Sequence, residues 1–181
     1  MVQLKNQDSG APVRKASAIP SPHSGIPSWD RPHLMIIEAR FYGELCDEMA
    51  LGAMQTLEEA GATWERIAVP GAFEIPGAIA IAAQGAAITP TRRGYDGYIA
   101  LGCVIRGETS HYDYVCGESA RGLQDLAIQR HLAIGYGILT VENEDQAWAR
   151  AALGEGNKGR AAAEAALAMI VLKTRFGLPP R

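Results

Sequence analysis

The sequence predicts an α/β protein built on one parallel sheet of about four strands with helices on both faces. Three observations lead there. Short apolar runs of strand length alternate with longer stretches of helical periodicity. Runs such as Tyr98-Ile99-Ala100-Leu101 and Ile138-Leu139-Thr140-Val141 are apolar at consecutive or nearly consecutive positions, as strands covered on both faces require. The 181 residues, 48% hydrophobic and 20% charged, suffice for one domain with a sizeable core.

The first strand is His33 to Ala39, and Arg40-Phe41-Tyr42-Gly43 makes the turn after it. Glu44 to Ala60 is an amphipathic helix, in which Leu45, Met49, Ala53 and Leu57 repeat at i, i+4 and Gly61 provides a left-handed end. Thr63 to Val69 is the second strand. Pro70-Gly71-Ala72-Phe73-Glu74-Ile75-Pro76 turns the chain into a closely packed Ala/Ile-rich helix over Gly77 to Ala87, with Pro76 in its first turn. Gly71 permits a sharp turn or a close approach to a ligand. Thr89 to Gly94 reads as a surface loop. The third strand leads into Arg106–His111 and then a helix to about His131. Gly135-Tyr136-Gly137 precedes the fourth strand. Asn143 and Gln146 form a capping-box pattern for a helix over Glu144 to Leu153. Asn157-Lys158-Gly159 starts the last helix, whose stripe is Ala163, Ala166, Leu167, Ile170 and Val171; Gly177 and Pro179-Pro180 end it.

Residues 1–32 read as a flexible tail, and residues 33–181 as the single domain. Five of the ten prolines fall in the tail, and such a segment buries too little apolar surface to offset its ordering entropy. The net charge of −3 and pI of about 5.8 argue against a nucleic-acid partner. No run is long enough to span a bilayer, and no secretory signal is evident. Cys46, Cys103 and Cys116 lack metal-ligand spacing and read as reduced thiols of a cytoplasmic protein.

Ligands of parallel sheets bind outside the carboxyl ends of the strands. Phe41, the Ala72–Glu74 turn, the stretch from Cys103 to His111, and Tyr136 are all expected at those ends. Each has two readings. Phe41 is either core or a stacking platform for a flat heterocycle. Glu74 either caps a helix or accepts from ligand hydroxyls. His111 is either an incidental surface histidine or a proton-transfer group, its ordinary pKa lying near neutrality. The turn before His111 places free N–H groups and a helix dipole where an anion is favoured. Arg150 and Lys158 are either solvated charges or phosphate ligands.

PGAFEIP at Pro70–Pro76, ALGCVIRGETSHYDYV at Ala100–Val115, GILTVEN at Gly137–Asn143 and NKG at Asn157–Gly159 resemble the lumazine synthase family in order and spacing. The resemblance covers roughly His33 to Gly177. It implies a flavodoxin-like three-layer α/β/α sandwich, assembled at least into pentamers with active sites between subunits. It implies a transferase of riboflavin biosynthesis that uses no metal or organic cofactor. The implied substrates are a ribitylaminopyrimidine and 3,4-dihydroxy-2-butanone 4-phosphate; riboflavin synthase is a further partner the resemblance allows.

By the same resemblance, Phe41 stacks on the pyrimidine, while Ala72, Phe73 and Glu74 border the ribityl chain. Cys103, Val104 and Ile105 hold the pyrimidine edge. Glu108 and Thr109 bind phosphate, and His111 moves protons. Tyr136, Arg150 and Lys158 come from the neighbouring subunit. The sequence departs from the family in having Tyr136 where phenylalanine is common and Ala72 where some members carry serine. The long tail and the Ile88–Gly94 loop favour free pentamers over larger shells. Two other readings remain beside the enzyme: a catalytically weak paralogue that binds flavin or forms a shell, and an FMN-binding flavodoxin-like protein.

Overall fold

The computed structural model describes residues 31–89 and 93–178. Most of the tail, Pro90–Arg92 of the loop and Pro179-Pro180 lie outside the described residues. The elements run β1 (His33–Ala39), α1 (Gly43–Glu59), β2 (Thr63–Val69), a short 3-10 turn (Ala72–Glu74), α2 (Ile75–Ile88), β3 (Gly97–Ile105), α3 (His111–Arg130), β4 (Ile134–Val141), α4 (Glu144–Ala151) and α5 (Lys158–Arg175). The four strands pair in the order β2-β1-β3-β4, all parallel.

Side chains alternate across the strands and feed two cores. Leu34 and Ile36 of β1 and Ile99 and Leu101 of β3 pack on the face covered by α1, α4 and α5. Met35, Ile37, Tyr98 and Ala100 pack on the face covered by α2 and α3. This double cover explains why the central strands are apolar without alternation. Gly61, at φ +67°, takes the left-handed conformation that ends α1. Asn143 caps α4, its side chain accepting from the Gln146 N–H at 3.0 Å.

Four local expectations change. Gly135-Tyr136-Gly137 lies inside β4, not before it. A Cβ on Gly135 would stand 1.9 Å from the Ala162 carbonyl oxygen, so this glycine admits α5 onto the sheet rather than turning the chain. Gly71 has an extended backbone that any residue can adopt (φ −152°), so the sharp-turn reading falls and the close-approach reading is left. Val171 is half-buried, and Ala162 and Gly159 complete the buried stripe of α5 instead. Helix α2 is not closely packed: it buries Ile75 and Ile79, while Ile81 is 75% exposed and Ile88 70% exposed. A helix apolar all round needs cover on a second side, and the described residues give it only one.

A buried carboxylate was not foreseen. Glu38 on β1 is 2% exposed and is held by Arg66 of β2, with Nε–Oε1 at 2.6 Å and Nη2–Oε2 at 2.8 Å. The two-pronged arrangement satisfies both carboxylate oxygens, which a buried charge requires.

Gly159 packs against the backbone of α1, where a Cβ would stand 1.9 Å from the Met49 carbonyl oxygen. Gly159→Ala is therefore expected to destabilise the fold by about 3 kcal/mol or more. Gly117, exposed on α3 with nothing within 4 Å of an added Cβ, is the control. Gly117→Ala should be neutral or stabilise by up to about 1 kcal/mol. Urea denaturation of both variants checks the contrast.

Candidate active site at the carboxyl edge of the sheet

The strand order dictates where a ligand fits. From β1 the chain crosses to β2 on one side, and from β3 it crosses to β4 on the other. The connections therefore diverge between β1 and β3, leaving a crevice beyond their carboxyl ends. A cavity of about 590 Å³ lies there.

The link after β1 contributes Phe41 and Tyr42, and the turn after β2 contributes Gly71 to Glu74. The last three residues of β3, Cys103 to Ile105, form part of the wall. Gly107 and Thr109 follow from the next turn, and His111, Tyr112, Tyr114 and Val115 from the start of α3. Nine of the expected site residues thus meet in one cavity: Phe41, Ala72, Phe73, Glu74, Cys103, Val104, Ile105, Thr109 and His111.

Several alternatives now resolve. Phe41 is not core: it is 76% exposed, with Tyr42 edge-on to it at a centroid distance of 5.0 Å. Its ring is thus a free apolar face at the cavity's edge, suited to stacking. Glu74 holds the N-cap position of α2, yet its side chain makes no capping hydrogen bond. A Cβ on Gly71 would stand 3.1 Å from Glu74 Oε2, so the glycine leaves room for that carboxylate. The Thr109 hydroxyl accepts from the His111 N–H at 3.4 Å. Cys103 belongs to the core under α1, and burial pushes its thiol up to about 12. It is therefore protonated at working pH and is no nucleophile.

Four expected residues stand apart from this cavity: Glu108, Tyr136, Arg150 and Lys158. Tyr136 is the clear correction. It pairs in register with Ala100, near the amino end of β4, so it is not at the carboxyl ends of the strands. It lines a separate recess of about 480 Å³ against Ala120, Leu123 and Gln124 of α3. Burial raises the pKa of its phenol. Arg150, on α4, donates from Nη1 to the Gln146 carbonyl at 2.9 Å, and Lys158 is the first residue of α5.

The sequence reading missed Tyr114 and Val115, although both lie within one helical turn of His111 and the helical period predicts a shared face. It also passed over Arg106. That guanidinium lies 4.0 Å above the Tyr112 ring and pairs with Asp113 at 3.1 Å and with Glu142 at 2.9 Å. It thereby fastens the turn before α3 to both α3 and the end of β4. Among the described residues no group of three His, Cys, Asp or Glu side chains could hold a metal ion.

An open parallel sheet with an aromatic-edged cavity at its switch point, carrying a carboxylate and an imidazole, defines a small-molecule-binding α/β enzyme. The sequence comparisons supply the particular kind. The model of the 6,7-dimethyl-8-ribityllumazine synthase family matches residues 31–174, and the chain belongs to that family. Proteins named 6,7-dimethyl-8-ribityllumazine synthase are its relatives. That of Bartonella bacilliformis is 58% identical over 146 residues, covering 81% of this chain and 93% of the relative. That of Agrobacterium fabrum is 56% identical over 147 residues, covering 81% and 98%. That of Methylorubrum populi is 48% identical over 160 residues, covering 88% and 94%.

The state of Cys103 is open to a direct check. With a pKa of about 12 it should be a thiolate in only about one molecule in ten thousand at pH 8. Iodoacetamide at that pH should leave Cys103 unmodified in native protein and label it after denaturation, as read by peptide mass spectrometry. Rapid native labelling would overturn this.

Proposed function

We propose that this protein condenses a 5-amino-6-ribitylaminopyrimidinedione with 3,4-dihydroxy-2-butanone 4-phosphate. The products are 6,7-dimethyl-8-ribityllumazine, phosphate and water. The observation that carries this reading is the meeting of Phe41, Glu74 and His111 in one cavity of a chain that belongs to this family. We take residues 33–181 as the catalytic domain, in keeping with the family match.

In this reading Phe41 stacks on the pyrimidine, and Ala72, Phe73 and Glu74 border the ribityl chain, Glu74 accepting from its hydroxyls. Cys103, Val104 and Ile105 meet the pyrimidine edge mainly through backbone, which suits a Cys103 side chain committed to the core. Thr109, beside the N-terminus of α3, receives the phosphate where the helix dipole favours an anion, and Glu108, whose carboxylate would repel it, meets it through backbone only. The substrate amine attacks the ketone to give an imine, with loss of water. Phosphate then leaves by β-elimination, and a second condensation closes the ring. Each step moves a proton, and His111 is placed to serve more than one of them. Holding two reactants together contributes more than acid–base help, because phosphate is already a fair leaving group. His111→Ala should therefore lower the rate by about a hundredfold, without abolishing it. A folded, assembled variant with no measurable product would contradict this.

The site is completed by a neighbouring subunit. Tyr136, Arg150 and Lys158 lie outside their own chain's cavity and are free to serve another's. Tyr136 then covers the heterocycle, Arg150 pairs with the phosphate, and Lys158 supports it. The exposed Ile81 and Ile88 of α2 supply apolar surface of the kind an obligate interface buries. The assembly is a pentamer, and the free pentamer is the form we favour. Three free cysteines suit the reducing cytoplasm. Among the described residues no helix is long and apolar enough to cross a membrane.

Following the lumazine product by fluorescence alongside phosphate release tests the reaction. Both signals should rise together, and a flat trace from assembled protein would overturn it. Subunit sharing has its own test. His111→Ala and Arg150→Ala proteins, unfolded together and reassembled, should recover activity above either alone, since some mixed sites carry both wild-type residues. No recovery would confine the site to one chain. Ile81→Glu should lower the assembled mass in sedimentation and activity together.

A further inference from the structure

Phe41 poses a mechanical problem. A ring that is 76% exposed receives little packing, so the backbone that presents it must be fixed from elsewhere. It sits in a three-residue link, Arg40-Phe41-Tyr42, between β1 and α1. Arg40 spans that link. Its Nη1 donates to Asp47 Oδ1 at 2.7 Å and its Nη2 to Asp47 Oδ2 at 3.0 Å, closing a fork from the strand end onto the second turn of α1. Nη1 also reaches Glu38 Oε2 at 3.1 Å. Glu38 is a fixed anchor, since Arg66 grips both of its oxygens. The Cys46 thiol adds a parallel tie to the Ala39 carbonyl at 3.0 Å.

We propose that Arg40, anchored on buried Glu38 and forked onto Asp47, is a positioning residue that holds Phe41 at the stacking angle for the pyrimidine substrate. The proposal rests on the reading of Phe41 as the stacking face. Stability alone does not account for the fork. Arg40 and Asp47 side chains are 36% and 57% exposed, and pairs that open to solvent contribute little to folding. The planar guanidinium makes two parallel bonds in a fixed plane, which a lysine ammonium cannot reproduce. The Arg40 guanidinium also holds the Asp47 carboxyl below the usual carboxylate range, so the pair stays ionised through neutral pH.

The test is steady-state kinetics on assembled protein, with KM measured for each substrate. Phe41→Ala should raise KM for the pyrimidine about tenfold or more, in line with the loss of one stacked base. Arg40→Lys and Asp47→Asn should each raise that KM about fivefold, with KM for the phosphate substrate unchanged. In the Phe41→Ala background neither should have any further effect, because nothing is left to position. Full additivity with Phe41→Ala, or equal changes in both KM values, would reduce the fork to a structural ion pair and overturn the proposal. No effect of Phe41→Ala itself would overturn the stacking role, and the positioning role with it. Asp47→Asn is isosteric and half-exposed, so it keeps the test readable if Arg40→Lys assembles poorly.

Discussion

Everything in this molecule follows from one constraint: a parallel sheet covered on both faces leaves only its ends open. Strands β1 and β3 are buried by helices above and below, and each has a strand on both sides. Most of their side chains are spent on the two cores. Chemistry is therefore left to the links that leave their carboxyl ends. Those links carry Phe41 on one side and Gly107 to His111 on the other. Because they diverge at the switch between β1 and β3, they leave a gap that a small molecule can fill.

Two ion clusters make these links rigid, one for each side of the gap. Glu38, Arg40, Asp47 and Arg66 fasten the link after β1 to β2 and α1. Arg106, Asp113 and Glu142 fasten the link after β3 to α3 and β4. Both clusters use arginine, whose flat fork fixes an angle as well as a distance. Neither is deeply buried apart from Glu38, so their main effect is on geometry rather than on folding free energy.

Much of this was legible in the sequence, for identifiable reasons. Consecutive apolar positions marked the buried strands. The i, i+4 repeat from Leu45 to Leu57 marked α1, and Asn143 with Gln146 marked the start of α4. Nine cavity residues were legible because each ends a strand or follows one closely, so chain order alone puts it at the right edge. Tyr136 was misplaced because Gly135 and Gly137 look like a turn. They are glycines so that α5 can lie against β4, and that contact is tertiary, between residues about 27 apart in sequence as Gly135 and Ala162 are. Arg106 and Glu38 escaped for the same reason. An ion pair between elements distant in sequence has no local signature.

The exposed surface of α2 and the placement of Tyr136, Arg150 and Lys158 bear on one question. A monomer that solved every local problem would cover Ile81 and Ile88 and would gather its own phosphate ligands. Among the described residues Ile81 and Ile88 stay open, and of the expected phosphate ligands only Thr109 lines the cavity. That cavity has a stacking face, a carboxylate and an imidazole, while neither of the expected basic ligands lines it. An anionic substrate needs such charge, since an anion removed from water without a counter-charge is strongly disfavoured. The unmet need of the cavity and the unburied apolar surface of the helix have the same remedy. In the proposed function a second copy of the chain brings both the cover and the cations, and on that reading assembly and catalysis depend on the same contact.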